Sequence, residues 1–231
     1  TFIPEFIQIG GDIDGEAAFD YSGISVSLSS DGNKLAIGAI FNDGNGNDAG
    51  HVRIYENNGG SWTQVGQDID GEAVYDNSGY SVSLSSDGNT VAIGAPINDG
   101  NGNNAGHVRI YENIGGSWSQ IGQDIDGEAA GDYSGSSLSL SSDGNIVAIG
   151  SYLNDGNGTD AGHVRIYENI GGFWTQIGQD IDGEAAGDYS SISLSLSSDG
   201  NIVSIGAYLN DGNGTDAGHV RIYENLGGSW I

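Results

Sequence analysis

Residues 12–16 read Asp-Ile-Asp-Gly-Glu, and the same five residues return at 68–72, 124–128 and 180–184. Each step is 56 residues long, with no insertion or deletion between copies. A tryptophan keeps the same spacing, at Trp62, Trp118, Trp174 and Trp230. Self-similarity at a fixed period is the sequence signature of a repeat architecture. We therefore interpret the 231-residue chain as four near-identical units.

Each unit is predicted to contain four β-strands. In the first unit, residues 24–29 alternate apolar and small polar side chains, which is the period-two pattern of a strand. Residues 34–39 are more continuously apolar, as in a central strand, and residues 51–56 and 61–66 are two further strand-like segments. Four short strands per unit are typical of a propeller blade. The sequence therefore predicts an all-β propeller of four four-stranded antiparallel blades.

We assign residues 1–231 to a single propeller domain. Residues 1–11 are predicted to be a closing strand, and the blades to span approximately residues 12–67, 68–123, 124–179 and 180–231. Residues 6–10 match the part of the fourth strand that would follow Trp230. Closure by this segment would remove an exposed strand edge, which is a risk for aggregation. The alternative is that the units belong to a longer ring, or that subunits share blades.

Composition narrows the possible functions. The chain has 42 glycines, no cysteine, five basic and 32 acidic residues, and a net charge of −27. Without cysteine, disulfides, thiolate metal sites and cysteine nucleophiles are excluded. So few basic side chains exclude binding to a nucleic-acid backbone, and no apolar run approaches the roughly 18 to 20 residues of a membrane helix. The glycines fit many tight turns that require positive φ.

The second unit carries the residues of a known repeat. Residues 80–96 read Tyr-Ser-Val-Ser-Leu-Ser-Ser-Asp-Gly-Asn-Thr-Val-Ala-Ile-Gly-Ala-Pro, and residues 105–111 read Ala-Gly-His-Val-Arg-Ile-Tyr. This pattern resembles the FG-GAP repeat, the blade unit of integrin α-type propellers and of bacterial and algal surface proteins. Gly94-Ala95-Pro96 is the "GAP", and Ser78-Gly79 stands at the "FG" position. The resemblance implies a secreted or cell-surface protein that binds ligands, with calcium in many blades.

The calcium loop of the integrin-type repeat is absent from its usual place between the first and second strands, where this chain has only Ser-Ser-Asp-Gly-Asn. Another loop, between the second and third strands, alternates oxygen-bearing side chains with glycine, which suits a hard cation. Turn formation alone would favour the same residues. We predict calcium at Asp43, Asn45, Asn47 and Asp48, at Asp99, Asn101 and Asn103, at Asp155, Asn157, Thr159 and Asp160, and at Asp211, Asn213, Thr215 and Asp216. The Asp-Ile-Asp-Gly-Glu segment is a second candidate for calcium.

Each third strand carries one histidine and one arginine, such as His51 and Arg53, on the predicted face of Tyr55. Propeller sheets are covered on both faces, and a partly buried arginine needs a carboxylate partner. We therefore expect structural Arg–Glu pairs between Arg53, Arg109, Arg165 and Arg221 and Glu16, Glu72, Glu128 and Glu184. The four tryptophans are expected to be packing anchors.

Tyr21, Tyr133 and Tyr189 recur in a loop beside carboxylates and are predicted to bind ligand, since repeated aromatic residues suit a glycan. No partnered nucleophile accompanies the histidines, and the near-identity of the units argues against an active site, so we predict no enzyme and no catalytic residue. We expect an extracellular or cell-surface binding or adhesion module for a glycan or protein, with calcium support and without membrane insertion. The alternative is a structural repeat of a surface appendage or extracellular matrix.

Overall fold

The computed structural model describes residues 7–231, and within that range it contains β-strands, turns and loops but no helix. The strands form four antiparallel sheets, one per repeat. The first sheet contains β1 (Ser22–Leu28), β2 (Lys34–Ala39), β3 (His51–Asn57), β4 (Trp62–Gln64) and β5 (Ile69–Asp70). The strands β1 to β4 lie side by side in chain order, and β5 pairs with the same edge of β3 as β4 does.

The other three sheets repeat this pattern. The second contains β6 (Ser81–Leu84), β7 (Thr90–Ala95), β8 (His107–Ile114), β9 (Ser117–Gln120) and β10 (Ile125–Asp126). The third contains β11 (Ser137–Leu140), β12 (Ile146–Ser151), β13 (His163–Ile170), β14 (Phe173–Gln176) and β15 (Ile181–Asp182). The fourth contains β16 (Ser193–Leu196), β17 (Ile202–Ala207) and β18 (His219–Glu224), with an antiparallel bridge from Asn225 to Trp230 in place of a fourth strand.

The predicted all-β architecture of four antiparallel blades is thus confirmed, with one addition. The short strand β5, taken from the Asp-Ile-Asp-Gly-Glu segment, pairs with the third strand of the preceding repeat rather than opening the next one. Ile69 lies opposite Val52, and Asp70 lies opposite His51. A blade in the structure therefore ends after this segment, whereas the repeat boundaries expected from the sequence fall before it.

The Ser-Ser-Asp-Gly-Asn segment is a turn held by its own side chains. The Asp31 carboxylate accepts hydrogen bonds from the Ser29 hydroxyl (2.7 Å) and the Asn33 backbone N–H (3.0 Å), and Gly32 supplies a φ of 70°. Of these bonds, that from the Asn33 N–H contributes most to lowering the pKa of Asp31 to about 2. Because these bonds occupy the carboxylate, the first-to-second-strand connection serves as a hairpin turn, which is consistent with the missing calcium loop.

Neighbouring blades bury a continuous apolar layer between them. Val52 and Ile54 of the first blade are fully buried against Leu84, Ile93 and Trp118 of the second. Equivalent layers form between the second and third and between the third and fourth blades. The indole N–H of Trp118 also donates to the backbone oxygen of Val65 (2.8 Å) in the preceding blade. The tryptophans are placed as packing anchors that cross from blade to blade.

Polar contacts set the distance between the innermost strands. The Ser25 hydroxyl donates to the backbone oxygen of Gly79 (2.6 Å), and the Ser27 hydroxyl accepts from the Leu84 N–H (2.9 Å). Gly38 lies so close to the next blade that a Cβ at this position would overlap the Gly79 oxygen. The glycine of the Gly-Ala-Pro motif is therefore required by the close approach of two blades.

The predicted Arg–Glu pairs lie at the same boundaries. Arg109 is buried, donates to the backbone oxygen of Asp70 (2.7 Å), lies 3.5 Å from the Glu72 carboxylate and stacks over Tyr111. Asp70 belongs to β5 of the first blade and Glu72 follows it closely, so this arginine connects blades one and two. The pair recurs as Arg53–Glu16 (3.4 Å) and Arg165–Glu128 (3.7 Å). In the fourth unit, Arg221 keeps the bond to the Asp182 backbone oxygen but forms no ion pair among the described residues, so the predicted pair with Glu184 is wrong. Glu184 lies 3.6 Å from His219.

The ring does not close within the described residues, which corrects the predicted closing strand. Val220 and Ile222 on β18 are 66% and 68% exposed, although the equivalent Val52 and Ile54 are fully buried. We call these two side chains the trailing face. At the other end of the array, Val26 and Leu28 on β1, here called the leading face, are 62% and 57% exposed.

The N-terminal segment lies on the first blade and leaves the last blade uncovered. The backbone oxygen of Ile9 accepts from the Trp62 indole, as Val65 does from Trp118. Within the described range, no strand pairing or hydrogen bond connects residues 7–11 with β18. Residues 1–6 of the predicted closing strand lie outside the described residues.

The glycine contact predicts that Gly94→Ala destabilises the protein and that Gly206→Ala does so much less. The added methyl at position 94 would overlap the Gly135 backbone oxygen of the next blade, whereas Gly206 has only Ser193 nearby. Forced overpacking typically costs about 1 to 3 kcal/mol. Urea unfolding of both variants measures the loss. Equal decreases in the free energy of unfolding would contradict the idea that the close approach of two blades requires glycine at position 94.

Arg109→Ala is expected to lower the free energy of unfolding by about 1 to 3 kcal/mol, because charge-assisted hydrogen bonding and packing are both lost. The matched control is Arg221→Ala, since Arg221 is only half-buried and has no glutamate pair among the described residues. The Arg221→Ala variant should lose less free energy of unfolding than the Arg109→Ala variant. If Arg109→Ala leaves the melting temperature unchanged, the arginine does not contribute to the stability of the fold.

Candidate functional site

The loops predicted to bind calcium use their side chains to hold their own backbone. Asp43 accepts a hydrogen bond from the Asp48 N–H (2.9 Å), and Asp155 accepts one from the Asp160 N–H (2.8 Å). Asp99 and Asp211 do the same in the other two units. The last residue of each loop has positive φ, as in Asp48 (52°). These contacts are those of a tight loop.

In the first three loops, the second oxygen-bearing residue contacts the following repeat. The Asn45 amide donates to the Gly71 backbone oxygen (2.8 Å), and Asn101 and Asn157 make the same contact one and two periods later. Within residues 7–231, no group of three acidic or histidine side chains converges in these loops. Calcium at the predicted loop positions, including Asn47, Asn103, Asn213, Thr159, Thr215 and Asp216, stays a prediction.

A different set of side chains does converge. Glu72, His107 and Asp124 place their ligand atoms within 4.8 Å of one another, and the same cluster recurs as Glu16, His51 and Asp68 and as Glu128, His163 and Asp180. The His107 Nδ1 lies 3.9 Å from a Glu72 oxygen and 4.0 Å from an Asp124 oxygen. With the third distance at most 4.8 Å, an ion equidistant from the three atoms lies roughly 2.3 to 2.5 Å from each. That distance is typical of calcium–oxygen bonds, and a zinc ion would need the side chains to approach by a few tenths of an ångström.

The histidine of each cluster is buried and makes no hydrogen bond. Within the described residues, His51, His107 and His163 are at most 2% exposed, and the Nε2 atoms of His107 and His163 have no partner. Burial, aided by the nearby Arg109, lowers the pKa of His107 to about 4. The imidazole is therefore neutral near pH 7, which is the protonation state that a metal ligand requires.

Burial disfavours the ionised form of the glutamate in these clusters. Burial raises the pKa of Glu72, Arg109 lowers it, and the neighbouring Asp124 carboxylate raises it further. Burial and Asp124 also raise the pKa of Asp126, which lies beside the cluster. A raised carboxyl pKa means that the ionised form is disfavoured at that position. A cation bound at the cluster would stabilise the ionised carboxylates.

Each cluster forms across a blade boundary. Glu72 follows β5 of the first blade, and His107 begins β8 of the second. Asp124 directly precedes β10, which pairs with β8. In the sequence the glutamate and the histidine of a cluster are 35 residues apart, so the sequence analysis treated the histidines only as part of the Arg face. Their common spacing of one period was the available signal.

Aromatic side chains form a row at the same end of the sheets. The ring centroids of Tyr133 and Tyr152, of Tyr152 and Tyr189, and of Tyr189 and Tyr208 are each 6.0 Å apart. We call these four residues the tyrosine row. Tyr21 pairs separately with Phe41 (4.9 Å) on the first blade. Two of the three predicted ligand-binding tyrosines therefore lie in one continuous row.

The sequence analysis missed Tyr152 and Tyr208. They stand at the position of Pro96, directly after the Gly-Ala or Gly-Ser of the repeat motif. Since the second strand ends next to the loop that precedes the first strand, this position lies beside Tyr133 or Tyr189. A shallow groove continues the row toward the second blade, lined by Tyr80, Pro96, Ile97, Tyr133, Ser136 and Tyr152.

The row tyrosines from the loop are held in a costly backbone conformation. Tyr133 has a φ of 55° and Tyr189 a φ of 51°, in the left-handed region that side chains rarely adopt. The Tyr133 N–H donates to the Asn104 backbone oxygen (3.1 Å), and the buried Asp132 is bound by the Asn154 amide (3.0 Å). The surrounding loop thus fixes the ring in position. Strain of this kind is found at functional sites more often than elsewhere.

The described residues 7–231 contain no helix with the length and apolarity needed to cross a bilayer. No curated protein matches the sequence. Among solved structures, a 6-phosphogluconolactonase candidate from Bacteroides uniformis superposes with a TM-score of 0.58 at 12% identity, over 90% of this chain and 52% of its own. Hydrazine synthase from Kuenenia stuttgartiensis superposes with a TM-score of 0.57 at 14% identity, over 96% of this chain and 51% of its own.

These likenesses concern the fold, which is propeller-like in both cases. The chain spans about half the length of either matched structure. Neither identity is high enough to transfer an activity, and the FG-GAP repeat is not an enzymatic family. FG-GAP repeats are found in adhesion-type proteins and are typical of extracellular ones.

The family model of the FG-GAP repeat matches residues 13–55 and 68–111. These ranges cover the first three strands of the first two blades, including the motif glycines Gly38 and Gly94. The third and fourth units repeat the first three strands of these blades at the same spacing. The protein is thus a propeller-like array whose first two units match the family model of the FG-GAP repeat.

Proposed function

We propose that this chain is an extracellular binding module whose ligand surface is the tyrosine row. The observation that carries the proposal is the regular 6.0 Å spacing of four tyrosine rings across the third and fourth blades. The rings are half-buried or exposed, so their outer faces are open to a ligand. The family's frequent occurrence in extracellular proteins supports the location.

A glycan is the ligand class that fits this surface. A tyrosine offers a flat apolar face and a hydroxyl, and a pyranose offers a flat C–H face and a rim of hydroxyls. A row of rings suits successive sugars of a linear chain. The net charge of −27 disfavours acidic glycans, so neutral polysaccharides are the expected class.

Tyr152→Ala is expected to weaken binding to a neutral polysaccharide about tenfold or more, because this ring contacts two others and its loss interrupts the row. The measurement is a glycan array followed by calorimetry on the strongest neutral ligand. Phe173→Ala is the matched control, since Phe173 is an exposed ring on β14 outside the row.

The two variants separate the proposed role from the alternative. If Tyr152→Ala weakens glycan binding and Phe173→Ala does not, the tyrosine row is supported as the ligand surface. No binding by the parent chain to any neutral glycan would instead favour a structural repeat of an appendage or matrix, and equal weakening in both variants would contradict the role of the row.

A second candidate function, metal binding, is favoured by the three His–carboxylate clusters. We propose that each holds one divalent ion that links two consecutive repeats. Zinc or a similar transition metal fits better than calcium, because calcium takes mainly oxygen ligands whereas imidazole suits zinc, copper and nickel. A buried imidazole that is neutral near pH 7 and has its Nδ1 toward both carboxylates supports this choice.

His107→Gln is expected to lower the number of zinc ions bound per chain by one, measured by calorimetry after treatment with a chelator. Asp155→Asn, in a loop predicted to bind calcium, should leave that number unchanged. An unchanged zinc stoichiometry in His107→Gln would exclude the cluster as the site. If calcium but not zinc raises the melting temperature and Asp155→Asn abolishes the effect, the loop prediction is correct instead.

A further inference from the structure

The two open ends of the array are complementary halves of the interface that the chain makes three times internally. The trailing face corresponds to Val52 and Ile54, and the leading face corresponds to Val82 and Leu84, which pack together between blades one and two. Val52, Val108 and Val164 are fully buried, whereas Val220 is 66% exposed. Both exposed surfaces therefore already have the shape and chemistry of a blade-to-blade contact.

Polar groups at the ends are complementary as well. At the internal boundaries, Ser137 donates to the Ser191 oxygen (2.6 Å) and Asn157 donates to the Gly183 oxygen (2.7 Å). One period later, the Ser193 hydroxyl and the Asn213 amide donate no hydrogen bond within residues 7–231. By the same period, their missing acceptors are the backbone oxygens of Gly23 and Gly15.

The segment that precedes the first blade has the conformation of the segments that connect later blades. Gln8 donates to Asp12 (2.8 Å) as Gln64 does to Asp68, and Arg53 donates to the Asp14 oxygen (2.9 Å). In each of the first three blades such a segment adds a two-residue strand to the third strand, as Ile69 does opposite Val52. Among residues 7–231, no such segment pairs with the equivalent edge of β18 at His219 and Val220.

The fourth His–carboxylate cluster is incomplete in the same way. Glu184 lies 3.6 Å from His219, but in the part of the chain that the structure describes no second carboxylate joins them. The side chain of His219 is 25% exposed. The residue that stands at this carboxylate's position in the repeat is Asp12, at the opposite end of the array.

We propose that the chain associates head to tail with a second copy of itself. The trailing face of one copy packs on the leading face of the other, and Ile13–Asp14 of the second copy adds a strand to β18. Asp12 of the second copy then completes the cluster of Glu184 and His219. The surface is heterologous, so two copies related by a rotation that closes form a ring, and a rotation that does not close gives a longer array.

The test uses one variant for each face, Leu28→Glu and Ile222→Glu. Both positions are exposed, so neither change should lower the melting temperature of the single chain. Sedimentation should show concentration-dependent association of the parent chain, weakened at least about tenfold in either variant, since a carboxylate would be buried without a partner. Ile170→Glu, at an exposed apolar position away from both faces, should associate like the parent.

Mixing the two variants tests whether the trailing face of one copy contacts the leading face of another. The Leu28→Glu chain keeps its trailing face and the Ile222→Glu chain keeps its leading face, so an equimolar mixture should form a heterodimer with one sound interface. Mixed variants that stay monomeric while the parent associates would overturn the head-to-tail arrangement. A parent chain that sediments as a monomer at every concentration would overturn self-association altogether, and would leave the binding role of the tyrosine row unaffected.

Discussion

The packing of each third strand against two neighbours is the interaction on which the rest of the structure depends. In β8, Val108 and Ile110 point toward the following blade, while His107, Arg109 and Tyr111 point toward the preceding one. Burying a valine or isoleucine side chain is worth about 1.5 to 3 kcal/mol, whereas a partly exposed ion pair contributes about 1 kcal/mol or less. The apolar face therefore supplies most of the attraction, and the polar face fixes alignment.

Both candidate sites are consequences of this stacking. A His–carboxylate cluster takes its glutamate and histidine from one 56-residue repeat and its aspartate from the next, and the tyrosine row takes its rings from adjacent blades. An isolated repeat would contain neither site complete. The chemistry of this protein thus lies at blade boundaries, and each boundary carries a similar but not identical version of it.

The sequence was sufficient for the strands, because the period-two pattern and the 56-residue spacing are local and repeated. It was also sufficient for three of the four Arg–Glu pairs, since a buried arginine needs a carboxylate partner and one glutamate recurs in every unit. It failed where the answer depends on three-dimensional rotation. Val26 and Val220 stand in the same strand pattern as their buried equivalents, and that pattern does not give the angle between neighbouring blades. Closure of the ring could therefore not be derived from the sequence. The partnership of Glu72 with His107 was hidden for a similar reason, since only sheet register brings them together.

The exposed ends have a further consequence for how the molecule holds together. In an array whose units contact only their neighbours, stability is a sum of repeat terms and boundary terms. The second and third blades each have two apolar boundaries, the first has one together with the N-terminal segment on its other side, and the last has one alone. We therefore expect the blades to unfold in order: the fourth blade unfolds first, and the second and third blades unfold last. A single transition temperature would then describe an average over unequal parts rather than one cooperative event.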